Sequence, residues 1–384
     1  MIDVDILIIG CGMAGLIAAR KISEYKLATM AIATGLGSTV LSSGTLDLIG
    51  YYNNRKSKVA ELLDEFISQN PNHPYAIVGR DKVLEALQEF KKKYDSFIKY
   101  EGNLEENMML LTPLGLFKPT LLVQSSMIEG KRENLENSKV LVVGFRNLVN
   151  QPPTLIAKSL REKWGIEVDY IKIDRRENQP IQLALLFESQ SEEIIKSIKD
   201  YDLGKYDYLA LPPVVGVRRT REILSEIENS LGIKVFEIMS FPPSIPGLRL
   251  QQLLEQPCTQ NGVEIRLGWR AVEINVTKQG CQTKVLENNN KREISSRAVI
   301  LATGQIMRDE IKITNGKIGQ ATINSQIFEY LTTDREMKLI LNGKIFENIF
   351  VAGSVISEKN MTGLGTSLST GYAAAKEVIE YLKG

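Results

Sequence analysis

The chain has 384 residues, enough for two or three domains at about 150 residues each. Its 47 lysines and arginines nearly balance 46 aspartates and glutamates, and the net charge of +1 gives no general pull toward nucleic acid or anionic lipid. Cys11, Cys258 and Cys281 are too few and too widely spaced for a disulfide framework or a Cys-x-x-Cys metal cluster, so no metal is expected. No basic-then-apolar leader precedes the first strand, and no apolar run reaches the roughly 18 residues of a spanning helix, so a soluble, cytoplasmic chain is expected.

The first element is also the most specific. Residues 4–9 form an apolar β-type run that leads directly into Gly10-Cys11-Gly12-Met13-Ala14-Gly15, and Leu16, Ile17, Ala18, Ala19 and Ile22 then continue as a helix. Gly-x-Gly-x-x-Gly between a strand and a helix is the layout of a nucleotide-binding unit. Gly10 makes the tight turn, Gly12 lets a phosphate approach the backbone, and Gly15 lets helix and strand pack closely. The helix start, with its N–H groups and partial positive charge, faces the anion. Met13 and Ala14 complete the candidate contacts of this turn, and Cys11 within it reads as a packing residue or a tuned redox thiol.

Residues 28–34 read as a second parallel strand ending at Thr34, followed over 35–50 by a loop rich in glycine, serine and threonine that contains Ser42-Ser43-Gly44-Thr45. Helical spacing of apolar residues predicts amphipathic helices over 56–70 and 81–100. The prolines of Asn70-Pro71-Asn72-His73-Pro74-Tyr75 place a loop between them. Thr112-Pro113-Leu114-Gly115 marks a turn. A strand at 139–144, a helix at 152–164, a strand at 167–173 and further strands at 209–211 and 235–239 predict a second α/β unit. No glycine triplet follows Gly144, so no second dinucleotide is assigned there. Phe241-Pro242-Pro243-Ser244-Ile245-Pro246-Gly247 reads as a rigid connector into an amphipathic helix over 248–260.

Short β-runs at 263–267, 271–277, 281–286 and 292–295 lead to an apolar strand over 298–304 that ends in Ala302-Thr303-Gly304, where glycine removes the side chain that would block a bound nucleotide. Residues 348–354 form another apolar strand, ending in Gly353-Ser354. Thr362-Gly363-Leu364-Gly365-Thr366-Ser367 then opens a helix over 368–382. The glycine turn, the Ser-Ser-Gly loop, the Ala-Thr-Gly strand and the glycine-capped last helix, in that order, describe a flavoprotein rather than a nicotinamide dehydrogenase. In such folds the last helix points its positive end at the flavin ring, where negative charge develops on reduction. The expected architecture is a Rossmann-like, two-domain α/β flavoprotein. Its nucleotide domain is built from both chain ends, 1–50 and 244–384, and an α/β middle domain is inserted at 51–243.

The chain resembles the B-subunit family of anaerobic glycerol-3-phosphate dehydrogenase over nearly its full length. The resemblance rests on Ser42-Ser43-Gly44-Thr45-Leu46-Asp47-Leu48, Asn72-His73-Pro74-Tyr75, Thr112-Pro113-Leu114-Gly115, the run from Phe241 through Pro246-Gly247-Leu248-Arg249-Leu250, and Val351-Ala352-Gly353-Ser354. It implies a flavin-bearing chain working beside a larger, A-type flavoprotein, joined in three-part enzymes by an iron–sulfur membrane anchor. The implied reaction oxidises sn-glycerol 3-phosphate to dihydroxyacetone phosphate and passes electrons to a quinone, with the chain peripheral on the inner face of the membrane through its partner. The chain departs from ordinary FAD proteins at Thr34, where an acid usually holds the adenosine ribose. No acid occurs between Glu24 and Asp47, and Ser354 stands where many FAD proteins carry another acid. FMN, which the resemblance implies for the B-type chains, needs no such acid; FMN and FAD both stay open, with a lean to FMN.

The candidate cofactor contacts are therefore Gly10, Gly12, Met13, Ala14, Gly15, Thr34, Ser42, Ser43, Gly44, Thr303, Gly304, Gly353, Ser354, Gly363, Gly365 and Thr366. Oxidising a secondary alcohol also needs a base for the hydroxyl proton and a cation for the phosphate. His73, the only histidine, is the candidate base, with a structural hydrogen-bonding role as its alternative. Arg249 is the candidate anion site, since a guanidinium holds an anion bidentately, and a solvent-facing helix arginine is its alternative. Arg218-Arg219-Thr220-Arg221 reads as a solvated helix start or a phosphate or partner contact, and Lys118 only follows a turn. With so few acid–base groups, substrate oxidation, electron relay without a substrate site, and oxidation of another small alcohol or acid are all open.

Overall fold

The computed structural model describes residues 2–50, 58–149, 151–277, 279–288, 290–304, 311–315, 319–323, 330–356 and 363–384. Thr362 and the first two residues of the helix expected over 56–70 lie outside them. Two compact units emerge, Met1–Ser38 with Ala60–Phe90 and Leu254–Gly384, and Thr39–Val59 with Lys91–Leu253.

In the first unit, Ile2–Ile9 pairs in parallel with Thr29–Ala33 on one side and with Asn290–Leu301 on the other. Glu264–Leu267 adds a parallel strand beyond Thr29–Ala33, and Lys344–Val351 pairs in parallel with the end of Asn290–Leu301. A sheet covered on both faces demands near-continuous apolar strands. Ile6, Leu7, Ile8 and Ile9 meet that demand, as do Ala298, Val299, Ile300 and Leu301; all eight are buried. The first half of Asn290–Leu301 pairs antiparallel with Cys281–Glu287, which pairs in turn with Trp269–Val276. The helices Met13–Ile22 and Leu364–Lys383 touch backbone to backbone where Gly371 meets Ala14.

The second unit holds four parallel strands in the spatial order Lys234–Glu237, Tyr208–Leu211, Lys139–Phe145, Glu167–Ile173. Side chains alternate across the sheet. Val140, Val142 and Val168 pack with Ile156, Ala157 and Leu160 of the helix Pro153–Trp164. Leu141, Val143 and Leu211 pack with Leu183 and Phe187 of Pro180–Lys199 and Ile223 of Thr220–Leu231. Gly144 serves this packing, because a Cβ there would meet the Pro153 ring at 2.5 Å.

The class is the α/β, Rossmann-like one expected, but the units divide the chain differently from the expected domains. Residues 60–90 belong with the first unit because Glu85 and Glu89 of the helix Arg80–Lys93 both accept from the Tyr372 hydroxyl, at 2.8 and 3.0 Å. Residues 39–50 belong with the second unit, where Leu46 bridges Leu122 and the Tyr100 hydroxyl donates to the Gly44 carbonyl at 2.7 Å. The helix expected over 81–100 stops at Lys93. Ile98 and Tyr100, both fully buried, then follow a period of two into the short strand Tyr100–Glu101. The connector before residue 248 also changes role, since Pro246 and Gly247 lie in the first turn of Ile245–Gln260, where proline's fixed φ suits a helix start.

Candidate functional site

The parallel strands of the first unit end together. Gly10 N–H donates to the Ile32 carbonyl at 2.8 Å, Ala302 N–H to Ile9 at 2.8 Å and Ala352 N–H to Leu301 at 2.9 Å. Gly10, Thr303-Gly304 and Gly353-Ser354 thereby reach one edge, the carboxyl ends of the strands, where open α/β sheets bind ligands. Gly10 has φ +120°, and a Cβ on it would lie 2.1 Å from the Ala302 carbonyl oxygen. A side chain at Gly15 would lie 1.9 Å from the Gly10 carbonyl oxygen, so the third glycine permits the helix to close on the turn. Gly37, beyond the second strand, comes within 2.4 Å of the Gly12 Cα if given a Cβ. None of the sequence patterns singled out Gly37; its only signal was the glycine pair flanking Leu36.

The helix Met13–Ile22 begins from an extended Gly12, and no side chain caps it. Leu364–Lys383 likewise begins from an extended Gly363 without a side-chain cap. At both starts the N-cap residue is a glycine with no side chain to cap the helix, and such starts present positive ends suited to anionic groups. Met13, Ala14, Gly365 and Thr366 are buried in these first turns. Ser354 Oγ lies 3.7 Å from where a Gly304 Cβ would stand, so the Ala-Thr-Gly strand and the C-terminal strand converge. A flavin fits this arrangement: the backbone is bare where side chains would fill the crevice, and the helix ends favour negative charge.

Thr34 is exposed at the end of its strand, and the absence of an acid there stands as read from sequence. Cys11 is 1 % exposed, and burial, with a smaller contribution from Glu255, pushes its thiol up to about 12. It therefore stays protonated at neutral pH and packs; the reading as a tuned redox thiol is corrected, because reactive thiols need a lowered pKa.

Ser42, Ser43 and Gly44 fall in the second unit, in a loop held by its own bonds. Ser42 Oγ donates to the Thr39 carbonyl at 2.7 Å, and the Ser43 and Thr45 hydroxyls lie 2.9 Å apart. Lys118 pairs there with Asp47. Arg249 is fully buried rather than solvent-facing, and it holds a carboxylate of its own chain. Its Nη2 donates to Glu237 Oε1 at 2.9 Å and to the Gly216 carbonyl at 2.7 Å, Nε donates to Gly216 at 2.9 Å, and Nη1 pairs with Glu237 Oε2. The expectation that it binds an external anion is corrected, since its charge is neutralised and its fork engaged.

His73 is 4 % exposed and caps the short helix Pro74–Val78, with Nδ1 accepting from the Tyr75 N–H at 3.1 Å. The Phe66 and Tyr75 rings pack on it at 4.8 and 4.6 Å. The candidate base is in a structural place. At the arginine cluster, Arg219 pairs with Glu222 and Arg221 with Asp95, and the anion at that helix start is Glu188, which accepts from the Val217 and Arg219 N–H groups at 2.8 and 3.1 Å.

The model of the family described as FAD binding domain matches residues 5–199, half of the chain. The chain is 27% identical over 319 residues to the B subunit of anaerobic glycerol-3-phosphate dehydrogenase from Actinobacillus pleuropneumoniae serotype 5b, covering 78% of this chain and 74% of that one. It is 23% identical over 423 aligned positions to the protein of the same name from Pasteurella multocida, covering 97% and 98%. Among solved structures, a flavoprotein/dehydrogenase from Cytophaga hutchinsonii aligns with a TM-score of 0.35 at 9% identity, over 100% of this chain and 79% of that one. The glycine cradle, the two uncapped helix starts and the family match agree: the chain is a flavin-dependent oxidoreductase that belongs to the FAD binding domain family and is related to the anaerobic glycerol-3-phosphate dehydrogenase B subunits.

Proposed function

We propose that the chain is the electron-relaying flavin subunit of a glycerol-3-phosphate dehydrogenase. A larger, A-type flavoprotein holds sn-glycerol 3-phosphate, and the electrons leave toward a quinone through an iron–sulfur membrane anchor. The substrate and the multi-subunit setting come from the names of the relatives. When bound, the flavin supplies reversible redox chemistry that can pass electrons singly or in pairs. The chain's own residues hold it. The helix start at Gly12 and the turn Gly10 to Gly15 receive the phosphate, Thr303-Gly304 and Gly353-Ser354 line the strand ends, and the helix start at Gly363 faces developing negative charge.

The observation that favours relay over oxidation by this chain is the commitment of both catalytic candidates. The Arg249 fork is filled by Glu237 and Gly216, and His73 caps a helix inside an aromatic cluster. The sequence has no second histidine to serve as base. Among the described residues no helix is long and apolar enough to cross a membrane, which suits attachment through a partner. Anaerobic titration with glycerol 3-phosphate tests this reading. The flavin of the isolated chain should stay oxidised and bleach once the larger flavoprotein is added. Bleaching of the isolated chain would assign it the substrate site, and no bleaching in either mixture would remove glycerol phosphate as the donor.

A further inference from the structure

We propose that Thr370 is a positioning residue for the flavin. Its hydroxyl pins the strand end at Gly353 to the C-terminal helix, so that the cofactor's seat is formed before the cofactor arrives. The proposal rests on the flavin reading above and concerns a residue that none of the sequence patterns singled out.

Gly353 follows the parallel strand Lys344–Val351 and turns out of the ladder at φ +83°. The ladder's last bond is from Ala352 N–H to the Leu301 carbonyl. One residue on, the Gly353 N–H donates to Thr370 Oγ1 at 2.8 Å in a buried contact. Thr370 is fully buried, and its own proton goes to the Thr366 carbonyl at 2.7 Å. A hydroxyl has one proton and two lone pairs, so the direction is set: Gly353 donates to Thr370, which donates to Thr366. Bonds in such a chain strengthen one another in a low-dielectric interior.

Thr366 lies in the first turn of the helix that starts, uncapped, from Gly363. One hydroxyl thus couples the two C-terminal places proposed to meet the flavin, the strand end and the helix start. The next residue fixes the opposite side. A Cβ on Gly371 would lie 2.3 Å from the Ala14 carbonyl oxygen, so the C-terminal helix rests directly on the first turn after the phosphate-binding glycines. Gly353 comes within 3.0 Å of the Ala14 Cβ by the same measure. Thr370-Gly371 therefore sets where Gly353-Ser354 stands relative to the glycine turn. Valine in place of Thr370 keeps the shape but leaves the Gly353 N–H buried without an acceptor, whereas serine keeps the hydroxyl.

The test is titration of the flavin-free chain with FAD, followed by fluorescence, for wild type, T370V and T370S, with the melting temperature of each flavin-free protein measured alongside. T370V should weaken FAD binding by about tenfold or more, the scale of one buried hydrogen bond left half-made. T370S should stay within about threefold. T370V binding FAD as wild type does, or T370S losing as much as T370V, overturns the proposal, as does a fall in melting temperature with unchanged affinity. Should T370V not fold, amide exchange on the flavin-free wild type decides. The Gly353 N–H should be protected before FAD is added, and protection that comes only with FAD contradicts the proposal. A wild type that takes up no FAD sinks the flavin reading together with this one; a wild type and T370V that bind equally well sink this one alone.

Discussion

Arg249 and His73 show how a residue's chemistry depends on what folding places beside it. An arginine in Pro-Gly-Leu-Arg reads equally as a surface cation or an anion site, and only the fold brings Glu237 and the Gly216 carbonyl to its fork. Removing one partner of such a buried pair strands the other charge, at a cost of about 3–5 kcal/mol. R249M should therefore lower the unfolding free energy by about that amount in urea titrations. Adding Glu237→Leu should recover part of the loss, because a neutral pair leaves no orphan charge, while the buried Val215 N–H, which donates to Glu237 Oε1 at 2.7 Å, loses its acceptor. His73 is a milder case. H73A should cost about 1 kcal/mol by loss of its cap, and His73→Asn should restore most of it. If the relay reading holds, neither His73 variant changes the rate at which the folded chain's flavin is reduced through its larger partner.

At the scale of elements, most strands and helices were legible because periodicity carries them, and the carboxyl-edge cluster was legible because glycine is required there. Gly10 shows why, since at φ +120° and 2.1 Å from a carbonyl no side chain fits. What pattern could not show was which unit each loop joins. The Ser42-Ser43-Gly44 loop has polar residues suited to a phosphate, yet it belongs by contact to Tyr100 and Leu122, far away in sequence. Thr370 was equally hidden, its hydroxyl lost among the small residues of the last helix.

The arginine cluster at 218–221 also gained a meaning only from a distant carboxylate. Burial pulls Glu188 upward, but the backbone N–H groups of Arg218, Val217 and Arg219 outweigh it and hold the carboxyl below the usual range. A depressed folded-state pKa contributes stability above the unfolded value, and that stability is lost as pH falls through the folded one. Glu188→Gln should thus lower the melting temperature at neutral pH, and the difference from wild type should shrink only below about pH 4.3, where the unfolded carboxyl protonates. A difference that persists unchanged into strong acid would show that charge at this helix start contributes nothing.

For the whole molecule, the net charge is +1, and among the described residues no helix is long and apolar enough to cross a membrane. The family-specific segments carried the functional assignment, while the glycine turn carried the cofactor. The turn alone did not distinguish FAD from FMN, because the phosphate proposed for it is common to both and Thr34 offers no acid to the adenosine half. The central claim is that both chain ends build one flavin seat, and flavin content tests it most directly. The purified chain, saturated with FAD and desalted, should keep about one flavin per polypeptide, identified by mass after denaturation. A chain that keeps neither FAD nor FMN under those conditions would contradict the account.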